Sequence, residues 1–142
     1  MPGAAWDVGV SGAGDLWVIG TNSVGGGYGI YHWVNNNWVN VPGGAVRIAV
    51  GPTGPWVVNN AGNIYQRVGE SWKQQPGCAK DVGVGSDGTV WVIGCTKNGN
   101  GFRIYRWNGS SWDRTTGGAT NVSVDQSGNP FVSNSNGNVY WP

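Results

Sequence analysis

Short apolar stretches that alternate with small or polar residues recur along the whole chain, separated by turn residues. The clearest example is Asp81–Trp91, in which two alternating valines precede Ser86-Asp87-Gly88 and a second apolar run begins at Val90. Alternation with a period of two is typical of a β-strand with one buried face, and Asp-Gly favours a tight turn. The stretch therefore predicts a β-hairpin. No segment shows the sustained 3.6-residue periodicity of an amphipathic helix.

This hairpin occurs four times because the sequence is internally repetitive. Residues 2–41 align with residues 76–115 at one constant offset, and residues 42–75 and 116–142 form two shorter versions. Each full repeat offers four short apolar strands, which we call a to d. Four-stranded units repeated at this spacing are typical of the blades of a β-propeller. The repeat in residues 116–142 lacks a strand d.

The predicted fold is therefore all-β, with one propeller domain over residues 1–142 and four blades, the last without its own outer strand. The length is that of about one domain. An unpaired strand edge invites pairing with another chain. We accordingly expect either a four-bladed ring with one three-stranded blade or a homo-oligomer formed through the open edge of the last blade.

Composition narrows the classes of function. Charged residues make up 11% of the chain and the net charge is +1, so no nucleic-acid-binding surface is predicted. The ten tryptophans argue against disorder, because disordered chains are poor in aromatics. No apolar run reaches the roughly 18 residues that span a bilayer. No signal peptide is visible, which favours a cytoplasmic or recombinant protein over a secreted one.

Neither a metal site nor a catalytic centre is predicted. Cys78 and Cys95 are the only cysteines; two free thiols are the simpler interpretation, and a cross-strand disulfide is the alternative. The single histidine, His32, aligns with glutamine, arginine and tryptophan in the other repeats, which indicates a variable, solvent-facing position. Asp7 and Asp81 are repeat equivalents and are expected to be structural. We expect no cofactor and no enzymatic activity.

The aromatic residues form two sets. Those that recur in every repeat fill the same gap between blades each time and are predicted to be core. They are Trp17, Trp56, Trp91 and Phe131 on strand b, and Tyr31, Tyr65, Tyr105 and Tyr140 on strand c. Aromatics found in only some repeats are better candidates for stacking on the apolar face of a sugar ring. The long repeats also have a longer b–c loop, at residues 21–28 and 95–102, in which amides and hydroxyls precede an aromatic.

Four sequence motifs carry a resemblance to a known family. Pro-Gly-Gly-Ala, Val-Gly-Val-Gly-x-Asp-Gly-x-Val-Trp-Val-Ile, Ile-Tyr-Arg-Trp-Asn-Gly-x-x-Trp and Asn-x-x-Gly-Asn-Ile-Tyr resemble tectonin repeats over nearly the whole chain. That family includes fungal and slime-mould tectonins, fish-egg lectins and the tachylectins that bind bacterial lipopolysaccharide. The resemblance implies a propeller lectin with shallow, multivalent glycan sites, in some members specific for O-methylated sugars. Family propellers usually have six blades, whereas this chain has four repeats.

The candidate carbohydrate-binding residues combine the unrepeated aromatics with amides and cations near them. They are Trp6, Asn22, Tyr28, Trp33, Lys80, Asn98, Asn100, Phe102, Arg106 and Trp107. Because long and short repeats alternate, two near-equivalent sites are expected rather than four. The alternative function is that of an engineered or truncated propeller acting as a self-assembling or protein-interaction scaffold.

Overall fold

The computed structural model describes all 142 residues, and the chain forms fifteen β-strands. The strands are β1 Ala5–Val10, β2 Leu16–Val24, β3 Gly27–Val34, β4 Asn37–Ala45, β5 Arg47–Gly51, β6 Gly54–Val58, β7 Ile64–Val68, β8 Ser71–Gln75, β9 Ala79–Val84, β10 Val90–Asn98, β11 Gly101–Trp107, β12 Trp112–Ala119, β13 Asn121–Val124, β14 Pro130–Ser133 and β15 Val139–Tyr140. The chain forms no helix that could cross a membrane.

These strands form four antiparallel sheets, each made of consecutive strands. Blades 1, 2 and 3 are the four-stranded sheets β1–β4, β5–β8 and β9–β12, and blade 4 is the three-stranded sheet β13–β15. The turn chemistry explains the hairpins: Asp87 Oδ1 accepts the Thr89 N–H at 2.9 Å, and Gly88 has φ +90°. The predicted all-β propeller, with a last blade that lacks its outer strand, is confirmed.

The first strand of each blade lies innermost, and β1, β5, β9 and β13 pack in that order around a common axis. Glycines allow this approach. A Cβ on Gly9 would lie 2.9 Å from Val50 Cγ2, and one on Gly83 would lie 2.8 Å from Val124 Cγ2. Small residues on strand a are therefore required by the convergence of the blades, as the repeat pattern predicts.

Two equivalent aspartates join consecutive blades. Asp7 Oδ2 accepts the backbone N–H of Ile48 at 2.9 Å, and Asp81 Oδ2 accepts that of Val122 at 2.8 Å. Each carboxylate thus satisfies a backbone donor of the next blade's inner strand, at a place where no strand pairs with it. The structural role predicted for both aspartates is confirmed.

The hydrophobic core is divided into three clusters, one between each pair of consecutive blades. The cluster between blades 1 and 2 contains Trp17, Ile19, Ile30, Ile48 and Val50. The other two clusters have the same construction and centre on Trp56 with Val82 and on Ile104 with Val132, respectively. Blades 2 and 3 therefore each contribute one apolar face to the blade before and another to the blade after.

The outward faces of the first and last blades have no such partner. Val8 is 60% exposed, although its equivalents Ile48, Val82 and Val122 are buried. Phe131 is 42% exposed, although its equivalents Trp17 and Trp56 are buried. The prediction that Phe131 belongs to the core is wrong, because no blade packs against its face. Further exposed apolar residues on these two faces are Val10, Val139 and Trp141.

The predicted long b–c loops are strands. In blade 1, β2 and β3 continue to a two-residue turn at Gly25-Gly26, and in blade 3 the turn is Gly99-Asn100. Each hairpin tip rests on the short turn of the following blade. The Asn60 N–H donates to the Gly26 carbonyl at 2.9 Å, and the Ser135 N–H donates to the Asn100 carbonyl at 2.8 Å.

Cys78 and Cys95 form a disulfide, with their Cα atoms 5.6 Å apart. The interpretation of the two cysteines as free thiols is therefore wrong. The register of the β9–β10 pair explains the bond: Ala79 lies opposite Gly94, so the adjacent cysteines face each other at the end of the ladder. Blade 1 has Ala4 and Thr21 at the equivalent positions.

Candidate functional site

The structure divides the ten candidate residues between two parts of the long blades. Seven belong to the strand a–hairpin region of blades 1 and 3, which we call the rim: Trp6, Asn22, Tyr28, Lys80, Asn98, Asn100 and Phe102. Three lie toward the c–d turn at the other end of strand c: Trp33, Arg106 and Trp107. The structure therefore does not bring the ten together in one site.

The first rim surface consists of Trp6, Ser23 and Tyr28. Trp6 is 63% exposed, and its ring centroid lies 6.1 Å from that of Tyr28 with an interplanar angle of 59°. Ser23 lies opposite Tyr28 in the β2–β3 register, which places both side chains on one face of the hairpin. Asn22, on the neighbouring position of β2, accepts a hydrogen bond from the Tyr31 hydroxyl at 3.0 Å.

The other rim surface lies in blade 3, and we call it the third rim surface after its blade. It consists of Lys80, Lys97 and Phe102, at the positions equivalent to Trp6, Ser23 and Tyr28. The Lys80 ammonium lies 4.6 Å from the centroid of the Phe102 ring, which is a cation–π arrangement. Lys97 lies opposite Phe102 in the β10–β11 register. The two long hairpins thus have equivalent backbone registers, but their side chains differ in charge, and the prediction of two near-equivalent sites stays a prediction.

Asn98 and Asn100 participate in the structure of the hairpin tip. Asn98 Nδ2 donates to the Gly117 carbonyl at 2.6 Å, and the Asn100 carbonyl accepts from both the backbone N–H and the hydroxyl of Ser135, each at 2.8 Å. These contacts hold the tip against β12 and the next blade. Asn100 keeps an exposed side chain.

Trp33 and Trp107 are half-buried in clusters of indole rings. Each lies 4.8 Å, centroid to centroid, from the tryptophan of its own strand d, which is Trp38 or Trp112 respectively. Trp107 also lies 5.5 Å from Trp56 of blade 2. Arg106, beside Trp107, is exposed. The two indoles thus fill space within and between blades and offer less free surface than Trp6.

The sequence analysis did not identify a set of equivalent cavities at the sides of the blades. Their common lining is the valine of strand b, the tyrosine of strand c and the tryptophan of strand d. The three sets are Val18, Tyr31 and Trp38; Val57, Tyr65 and Trp72; and Val92, Tyr105 and Trp112. The cavities measure about 330, 370 and 240 Å³. The repeated tyrosines are half-buried rather than fully enclosed core residues.

The strand d tryptophans each make an equivalent hydrogen bond. Trp38, Trp72 and Trp112 each donate Nε1–H at 2.7 Å to the carbonyl of a proline that precedes strand a of the same blade: Pro2, Pro42 and Pro76. Buried indole N–H groups usually find a partner, so the bond fixes the ring at the cavity wall. A recurring Pro-Gly before strand a, paired with a recurring tryptophan on strand d, was the sequence signal for this arrangement.

His32 is half-buried rather than solvent-facing. Its Nε2 lies 2.5 Å from Asp15 Oδ1, and its ring stacks on Trp17 at a centroid distance of 4.1 Å. Trp17 Nε1 donates to the other oxygen of the same carboxylate at 3.1 Å. Asp15 therefore orients both rings. No group of three or more histidine, cysteine, aspartate or glutamate residues is placed to hold a metal ion.

A polar cavity of about 330 Å³ lies on the propeller axis, lined by all four inner strands. Asp7, Arg47, Asp81 and Asn121 are equivalent positions in the four blades and meet here. Burial raises the pKa of Asp81 to about 6, although the Val122 N–H and the Arg47 guanidinium, 3.9 Å away, favour its charged form. The raised pKa thus belongs to a residue that, like Asp7, also joins consecutive blades.

Comparison with protein families agrees with this architecture. The model of the Tectonin domain matches residues 7–104 and again residues 44–141, which together cover nearly the whole chain. The two overlapping matches reflect the repeats, because the second begins at the start of blade 2. A comparison with curated proteins gave no significant match. Because the family model matches more than half of the chain, the chain belongs to the Tectonin domain family.

Proposed function

We propose that this protein binds glycans without transforming them and that the first rim surface is its principal sugar contact. The observation that carries the proposal is the exposed Trp6–Tyr28 pair, whose tilted rings form an open aromatic surface. An exposed tryptophan contributes little to the hydrophobic core, so packing does not explain its presence. Sugar rings present an apolar face that stacks on such a surface. Membership in the Tectonin domain family supports the same conclusion.

Polar groups around the aromatic pair would supply the orienting hydrogen bonds. The Ser23 hydroxyl lies on the same face as Tyr28, whereas the Asn22 amide lies on the other face of β2, where it accepts from the Tyr31 hydroxyl, and would contact only a glycan that extends past the hairpin edge. Among glycans, O-methylated sugars suit this surface well, because each methyl group adds apolar area against the two rings. Lipopolysaccharide is the second glycan class that we propose, since several rim contacts on one molecule would act together on a repetitive surface.

The remaining candidates have smaller proposed roles. Asn98 and Asn100 would contact a glycan through the side-chain amide groups that make no hydrogen bond within the protein. Arg106 would contact it through its exposed guanidinium. Trp33 and Trp107 would contribute only their exposed ring edges, because both pack against other indoles. We therefore expect variants at these positions to change binding less than variants of Trp6.

The direct test is Trp6→Ala, measured on an array that includes O-methylated and unmodified glycans. We expect at least tenfold weaker binding with an unchanged unfolding midpoint, because the indole is mostly in solvent. Trp141→Ala is the matched control, since Trp141 is also 63% exposed but lies in blade 4. If the two variants bind as well as the parent protein, the assignment of Trp6 is wrong. A folded parent protein that binds no glycan would reject the function itself.

A second candidate function is that of a self-assembling scaffold. The observation that favours it is the pair of uncovered faces on blades 1 and 4, where Val8 and Phe131 are exposed although their equivalents are buried. The outer edge of β15 is also unpaired. Both features would be covered by a second copy of the chain, and neither requires a glycan.

A further inference from the structure

The two rim surfaces share one backbone frame but differ in their side-chain chemistry. Three positions define the frame: the second residue of strand a and two residues that face each other across the hairpin. In blade 1 they are Trp6, Ser23 and Tyr28, and in blade 3 they are Lys80, Lys97 and Phe102. The first surface is therefore neutral, whereas the third carries two cations around one aromatic ring.

Neither of these cations is neutralised by the protein. The chain has two pairs of oppositely ionisable groups within 4.0 Å, His32 with Asp15 and Arg47 with Asp81, and neither involves a lysine. Lys80 and Lys97 are both exposed. The cation–π contact with Phe102 keeps the Lys80 ammonium beside the ring without removing its charge.

Lys80 also lines a cavity of about 340 Å³ between blades 2 and 3. The opposite wall is the short turn of blade 2, which contributes Asn59 and Asn60. Asn59 Oδ1 accepts the N–H groups of Ala61 and Asn63, which leaves its Nδ2 group as the free donor. This volume lies at the lower end of the range of small-molecule sites. The cavity thus offers one cation and amide donors in a space suited to a monosaccharide.

We propose that the third rim surface and this cavity select anionic sugars, those with a carboxylate, sulfate or phosphate substituent, whereas the first rim surface takes neutral sugars. This inference rests on the proposed glycan binding. The Lys80 ammonium occupies one face of the Phe102 ring, so that face cannot stack on a sugar, and the ammonium itself becomes the contact. Charge-assisted hydrogen bonds to an anionic substituent are stronger than neutral ones.

The experiment compares matched neutral and acidic probes by calorimetry at fixed ionic strength: N-acetylglucosamine with its 6-sulfate, and methyl glucoside with methyl glucuronide. In Lys80→Ala/Lys97→Ala we expect at least tenfold weaker binding of both acidic probes and less than twofold change for the neutral ones. Lys73→Ala/Arg114→Ala is the control, because it removes the same charge from exposed outer-strand positions. The control should retain acidic binding.

A reciprocal variant tests the frame itself. Trp6→Lys/Ser23→Lys should give the first rim surface affinity for the acidic probes, because the backbone of the two hairpins is equivalent. Equal losses in the rim and control double variants would overturn the inference, since only net charge would then matter. Displacement of the sulfated sugar by inorganic sulfate at equal concentration would also overturn it. Failure of all four probes to bind would instead count against glycan binding.

Discussion

At the scale of single residues, repetition distinguishes framework from variable surface, but it does not reveal burial. Asp7 and Asp81 occupy equivalent positions and make the same bond to the following blade, as their repetition predicts. Trp17 and Phe131 are also equivalent, yet Trp17 is buried and Phe131 is not. The aspartate accepts a bond from a strand that is present in both cases, whereas the aromatic needs a neighbouring blade on its other side.

Asp81 gives a testable pH dependence. Its pKa of about 6 in the folded protein exceeds the ordinary value of 3.8, so the folded state binds the proton more tightly. The stability that protonation of Asp81 provides is complete below pH 3.8 and is lost as pH rises through 6. Asp81→Asn keeps the acceptor for the Val122 N–H and removes the titration. The free energy of unfolding of the variant, relative to wild type, should therefore rise by about 2 to 3 kcal/mol between pH 4 and pH 7.5.

Urea unfolding at several pH values measures this difference. Taking variant minus wild type cancels the contribution of the other carboxylates, including Asp125, whose pKa is lowered mainly by hydrogen bonds from Asn129. A difference that is constant across this pH range would mean that Asp81 is not perturbed by burial.

At the scale of elements, local pattern fixed the strands but not their lengths. The stretches at residues 21–28 and 95–102 contain Gly, Asn, Ser and Thr, which favour turns, and they were predicted as loops. They form paired strands because β4 and β12 continue beside them: Tyr28 lies opposite Ala45, and Phe102 lies opposite Ala119. Backbone pairing with a third strand overrides weak local propensity.

The disulfide is the clearest difference between the two long blades. We expect Cys78→Ala/Cys95→Thr, which copies the residues of blade 1, to lower the free energy of unfolding by about 3 kcal/mol, since the bond closes a loop of 17 residues. Urea unfolding of the parent protein with and without a reductant should show a loss of the same size. The double variant serves as the control and should not respond to the reductant. An unchanged midpoint in the variant would show that strand pairing alone holds this hairpin.

At the scale of the whole molecule, the uncovered faces of blades 1 and 4 give a prediction about assembly. Side chains of this type are buried at each of the three interfaces between consecutive blades, so a face of blade 1 and a face of blade 4 are complementary between copies. Two different faces that meet head to tail form a heterologous contact, which closes into a ring or continues as a filament. We therefore expect a native mass greater than that of one chain.

Val8→Lys should shift that assembly toward single chains, because it places a charge in the apolar contact. Val68→Lys is the control, since Val68 is also exposed but lies near the c–d turn of blade 2. Native mass spectrometry or light scattering over a concentration series measures the outcome. A parent protein with the mass of one chain at all concentrations would rule out the scaffold function.

The sequence by itself determined the elements and their grouping. Period-two alternation, turn residues and the fourfold repeat are local properties, and they were sufficient to predict four antiparallel blades and the missing outer strand of the last. The structural role of Asp7 and Asp81 followed from the same repetition. These features can be predicted by comparing one repeat of the sequence with another.

Only the tertiary structure decided which blade faces are covered, whether the two cysteines form a disulfide and which candidate binding residues share a surface. Trp107 lies against Trp56 of another blade, and Lys80 lies over Phe102, whereas Phe131 has only Trp141 of its own blade beside it and remains 42% exposed. Each of these depends on contacts between residues far apart in sequence, and hence on the relative positions of strands and blades. Repetition in sequence predicts equivalent backbone positions, but the neighbours of a side chain depend on whether another blade packs beside it.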